Sequence, residues 1–184
     1  MTEFDDCSFK EYLSFEEEKR ETYKMFGLKA KPNGYGLTTA LDWEWGRVKD
    51  VQVLINKSSL NYSEMIEILT LASKKTHDEI LSERWDRVFK LYNFVVKEIE
   101  HINELEKQLA YDPEPDEVSA GIDAFNEMGY FVTLNRLAGG DPLKYKAILE
   151  IGYADIFATL KLNNIDMQFQ RNLMRQRERK YNHA

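Results

Sequence analysis

Apolar side chains recur along most of the chain at steps of three and four, the spacing that lines one face of an α-helix. The longest such stripe is Trp85, Val88, Tyr92, Val95, Ile99, Ile102, Leu105 and Leu109. It predicts a helix of about 27 residues, ~40 Å long at the usual rise, which is long for a globular element. Two overlapping Ser-x-x-Glu boxes open the chain, Ser8 to Glu11 and Ser14 to Glu17. The second predicts a helix through Phe26, with Phe15, Thr22, Tyr23 and Phe26 inward and Gly27 as its stop. Leu41, Trp45, Val48, Gln52 and Ile55 predict a helix over about 40–56, with residues 51–55 open to reading as a short strand. Met65, Ile66, Leu69 and Ala72 predict a helix over 63–72, and Thr76 to Glu79 is a further capping box.

Glycine and proline, nine and four in number, fall between the periodic segments, as in a helical protein. Asp112-Pro113-Glu114-Pro115-Asp116 is the strongest break, because each proline pushes the preceding residue out of the α region. It divides the chain into an N-terminal helical region, 1–111, and a C-terminal one, 112–184. In the second region Val118, Ile122, Phe125 and Met128 make a short helix closed by Gly129. Phe131, Leu134 and Leu137 make another, and Asp141-Pro142 starts a third with Asp as N-cap and Pro at the first helical position. Tyr153, Ile156, Phe157 and Leu160 begin a last helix that continues to about Arg179. No internal repeat stands out. The expected fold is all-α: an irregular bundle around one long central helix, with a helical C-terminal extension.

Composition narrows the function. Hydrophobic residues form 43% of the 184, enough for a core, and mean hydropathy of −0.55 leaves a charged surface. The net charge of −7 disfavours non-specific binding to nucleic acid or anionic lipid. No apolar run approaches the ~20 residues of a membrane span. The acidic start, Met1 to Asp6, is the opposite of a basic leader. Cys7, the single cysteine, allows no intrachain disulfide and sits among carboxylates that disfavour a thiolate. Glu98-Ile99-Glu100-His101 has Glu-x-x-His spacing, but no second copy exists to build a dinuclear metal site. Ala138 to Lys144 brings glycines to a helix start without the Gly-Lys-Ser/Thr of a phosphate loop. No catalytic residue, cofactor site or metal ligand set is expected, and hence no enzyme and no small-molecule substrate.

What remains is contact chemistry. Asp112, Glu114, Asp116 and Glu117 head an acidic block, 112–127, and Arg171, Arg175, Arg177, Arg179 and Lys180 crowd the C-terminus. Blocks of opposite sign suit the docking of one copy on another, and the basic end also suits a nucleic-acid contact. Trp43, two residues from the inward Trp45, points elsewhere in a continuous helix and is a candidate interface anchor. The stretch Ala120-Gly121-Ile122, Phe125, Gly129, Thr133-Leu134, Leu137-Ala138, Gly140-Asp141, Lys144, Ile148-Leu149, Tyr153, Phe157 and Leu160 resembles a pattern in small helical structural and assembly proteins of tailed bacteriophages. The resemblance covers roughly the last third of the chain. It implies a non-enzymatic virion component of the head-to-tail connection or tail, assembled in the host cytoplasm, whose partners are other virion proteins and copies of itself. The alternative it implies is a tail-assembly chaperone absent from the mature particle.

Overall fold

A computed structural model describes residues 7–56, 61–109, 113 and 115–182. Among these there are ten α-helices and no strand: α1 Phe9–Leu13, α2 Glu17–Leu28, α3 Trp45–Ile55, α4 Tyr62–Ser73, α5 His77–Ser82, α6 Trp85–Lys107, α7 Pro115–Ser119, α8 Tyr130–Leu137, α9 Tyr145–Leu149 and α10 Tyr153–Asn182. Short 3-10 turns at Ala40–Asp42, Ile122–Met128 and Pro142–Lys144 precede or join them. The fold is all-α, and residues 51–55 are helical. It has two long helices rather than one, because α10 has 30 residues against 23 in α6.

The expected stripe on α6 is the centre of the core: Val88, Tyr92, Val95, Ile99 and Ile102 are all buried, joined by Phe89 and Leu91. The buried cluster crosses the 112–116 break, since Leu134, Ala138, Ile148, Tyr153 and Ile156 belong to it. Several other apolar positions of the second region face solvent instead of inward, among them Val118, Phe125, Met128 and Phe131. Residues 122–128 wind as a 3-10 turn with about three residues per turn, so a three-four stripe does not stay on one face there.

Helix ends follow the local chemistry in part. The boxes at Ser8 and Thr76 form as expected, and a third forms at Asn61 with Glu64. The Ser14 box does not: Ser14 ends α1, and its hydroxyl donates to the Glu11 carbonyl at 2.6 Å. Gly27 does not end α2 but lies buried within it. A Cβ there would stand 2.5 Å from Phe89 Cγ, so the glycine is what lets α2 lie against α6. Phe26, expected inward, is 68% exposed as a consequence.

Two pairs of helix starts are joined by reciprocal backbone bonds. Phe9 N–H donates to Glu83 O at 2.7 Å and Trp85 N–H to Cys7 O at 3.2 Å, tying α1 to α6. Trp45 N–H donates to Ile151 O at 2.7 Å and Tyr153 N–H to Trp43 O at 2.8 Å, tying α3 to α10. Each bond satisfies an N–H that a first helical turn leaves without an intrahelical acceptor. These joints disclose a short repeat that the apolar pattern alone did not bring out: Ala40-Leu41 with Trp45 and Val48, Ile80-Leu81 with Trp85 and Val88, Ile148-Leu149 with Tyr153 and Ile156. In each, a short helical turn, an extended link and an aromatic residue at the first helical position follow in order.

Gly27→Ala tests the α2–α6 contact. Helix propensity alone favours alanine by ~1 kcal/mol. Overpacking against the fully buried Phe89 should outweigh it, with a net loss of about 1–3 kcal/mol in urea denaturation. A gain in stability would show that the two helices can part freely.

Candidate assembly surface

Trp43 is buried, not an exposed anchor. The 3-10 turn ends at Asp42, and Trp43 and Glu44 are extended before α3 begins, so Trp43 and Trp45 are not on opposite sides of one helix. The Trp43 indole N–H donates to Thr38 O at 3.2 Å, and the Arg47 guanidinium lies 4.5 Å from its ring centroid. Arg47 also donates to Leu71 O at 2.9 Å and to Ala72 O, closing the carbonyl end of α4. Glu44 accepts from Arg47 at 3.4 Å and from Lys74 at 2.6 Å. The hydrogen bond from Lys74 is the main reason its carboxyl is held at about 2 rather than 4.5. This cluster ties α3 to α4 with the Trp43 ring enclosed in it.

The other polar groups singled out in the sequence are also occupied in holding the fold. Glu98 accepts from the Thr39 hydroxyl at 2.7 Å and from Ala40 N–H at 2.8 Å, capping the 3-10 turn from across the core, while His101 is exposed. The Cys7 thiol is pushed up by burial and then by Glu11. Asp141 caps the Pro142–Lys144 turn through Leu143 N–H at 3.0 Å. Among the described residues no group of three or more His, Cys, Asp or Glu could hold a metal ion, and no helix is long and apolar enough to cross a membrane.

The charged blocks meet within the chain. Arg171 and Glu117 form an ion pair at 2.9 Å within the chain, so this pair closes α10 on α7. Asp112 and Glu114, and the side chain of Asp116, lie outside the described residues. Arg175, Arg177, Arg179 and Lys180 are exposed on the last turns of α10.

The feature that the apolar pattern did not single out is the geometry of α10. Its first turn is fixed in the core: Tyr153 is 1% exposed and donates its hydroxyl to Glu106 Oε1 at 2.7 Å, where Lys49 also donates at 2.6 Å. Burial and that carboxylate raise the Tyr153 hydroxyl well above its ordinary value. From this anchor the helix runs ~45 Å at the standard rise. One stripe, Tyr153, Ile156, Leu160, Asn164, Met167 and Arg171, faces the body. Its outer part borders a groove of about 790 Å³, shared with Ile122, Thr133 and Leu137. A second stripe, Leu162, Ile165, Phe169 and Leu173, lies on the opposite side, and the first three are 66%, 57% and 59% exposed. Positions 160 and 162 differ by two helical steps, about 200°, so the stripes are back to back. No family model matches the chain, and neither a curated protein nor a solved structure is found to be similar to it.

Glu44 supplies a pH test of its pairing with Lys74 and Arg47. Its lowered carboxyl contributes stability that is fully present above about pH 4.5 and is lost as pH falls through about 2. Glu44→Gln should therefore be less stable than the parent at neutral pH, with the gap closing between those values. Urea midpoints measured across the acid range check this; a gap independent of pH would assign the loss to packing.

Proposed function

We propose that this chain is a non-enzymatic assembly protein whose working part is the arm formed by α10. The observation that carries the reading is the second apolar stripe, on the side of α10 that faces away from the body. Monomeric proteins rarely leave a row of large apolar side chains in water without a partner for it. A helix with two opposed stripes serves two neighbours, and only one of them belongs to this chain. The resemblance of the last third to tailed-phage proteins gives the setting: a virion component of the head-to-tail connection or tail. The basic end of the arm adds a charged anchor beside the apolar one. On a chain of net charge −7 it is suited to an acidic protein surface, with DNA as a less favoured partner.

The second reading, a tail-assembly chaperone, draws on the groove between α10 and residues 122–137, where Ile122, Leu137, Leu160 and Met167 offer apolar surface to a partner's segment. Mass spectrometry of purified particles separates the two, since a chaperone is absent from them.

Phe169→Asp, alone or with Ile165→Asp, tests the arm. Both side chains are exposed, so the melting temperature should hold within the small range typical of surface changes. Incorporation into particles should fall at least tenfold. Normal incorporation of the double variant would remove the arm from the assembly mechanism.

A further inference from the structure

The outer stripe of α10 has a counterpart elsewhere on the same chain. On α2, Glu18, Glu21, Met25 and Leu28 follow one another at steps of three, four and three, and all are exposed. Glu21 pairs with Lys24 at 3.1 Å on the open surface, where such a pair is weak and exchangeable. Glu17 is exposed beside this face. Read along the chain, the α2 face is acidic and then apolar. The α10 face is apolar and then basic: Phe169 and Leu173 continue through Gln176 to Lys180, flanked by Arg177 and Arg179.

We infer that α10 of one copy docks antiparallel on α2 of a second copy. The lengths agree. From Leu28 to Glu18 is about 15 Å along α2, and from Phe169 to Lys180 about 16 Å along α10. In that register Leu28 meets Phe169, Met25 meets Leu173, Glu21 lies at Gln176 and Arg177, and Glu18 meets Lys180. The reverse direction would set the glutamates against the apolar row and leave the cations over Met25 and Leu28. A pairing of α10 with itself satisfies less. Antiparallel arms centred on the apolar row place the basic end over the helix start, where Asp155 is the acidic residue of the first turn. The contact joins two different faces of the chain, so it either closes as a two-fold dimer, each arm lying on α2 of the other copy, or propagates into a ring or a filament. With α2 only ~18 Å long, one such contact falls below the roughly 800 Å² per partner of a standard interface. It is reversible and concentration-dependent.

The inference rests on the arm reading and narrows it to a partner. Its test uses the full chain carrying Met25→Asp or Phe169→Asp, both at exposed positions, with melting curves to show that each variant is folded. Sedimentation is measured over a range of concentration. The parent should associate as concentration rises, more weakly at high salt than at low salt. Each variant alone should stay monomeric. An equimolar mixture should give one species of twice the monomer mass and nothing larger, because the intact arm of one variant docks on the intact α2 of the other. A mixture that stays monomeric, or a Met25→Asp protein that associates as the parent does, overturns the α2 assignment. A parent that remains monomeric throughout also overturns it. If Phe169→Asp still blocks particle incorporation in that case, the arm reading stands and its partner is a different protein.

Discussion

Every helix in a fold of many short helices leaves backbone groups without partners at both ends, and in the interior no water reaches them. Satisfying those ends is the constraint on which the rest of this architecture depends. Local caps at Ser8, Asn61 and Thr76 serve ends near the surface. Interior ends are closed from a distance. Asn93 of α6 reaches Gly27 O and Ala30 O, each at 3.0 Å, at the end of α2. Glu98 closes the start of the Ala40–Asp42 turn, and Arg47 closes the end of α4. The two reciprocal backbone pairs close four helix starts at once. The same bonds that satisfy the ends therefore determine which helices are neighbours.

That constraint also explains why the start of α10 is set in the core while its remainder lies at the surface. Tyr153 is held by its N–H, by its hydroxyl and by burial of its ring, and Ile156 is buried one turn further on. Lys49, Gln52, Asn103 and Glu106 complete one another around that hydroxyl, so no charge there is left without a partner. Beyond Leu160 the helix borders the groove and is held by the Arg171–Glu117 pair. A helix continuing under those conditions must carry side chains on its far side that either solvate easily or meet something else. Residues 162, 165 and 169 are Leu, Ile and Phe, which do not solvate easily.

What the sequence disclosed, and what it did not, divides along the same line. The α6 stripe was legible because one long helix keeps its period over many turns, and a core that wraps it leaves little freedom in its burial. The capping boxes were legible where the next three residues stay helical. Ser14 failed that test because the chain had already turned at the end of α1. Trp43 was misplaced by the assumption that 40–56 is continuous; the extended pair at 43 and 44 rotates the indole inward, and no propensity marks that kink. Gly27 was taken as punctuation when its role is close approach, which depends on a phenylalanine far along the chain. The repeat at 40, 80 and 148 could have been found from spacing alone, but only once the aromatic at the first helical position is recognised as its marker.

The electrostatics of the arm follow from where its basic residues sit in an acidic chain. A basic tip on a basic protein would be repelled by other copies at every approach. Here the body carries the excess negative charge, so another copy attracts the tip before contact, within about a Debye length. The attraction selects direction more than it adds affinity, since exposed ion pairs contribute little once formed. The apolar rows supply the larger share of the binding free energy, and being non-directional they would tolerate either orientation of two helices. Placing acid at one end of α2 and base at the far end of α10 removes that ambiguity. Two weak interactions of different kinds, one setting orientation and one setting strength, are thus carried by a helix whose start the core has already fixed.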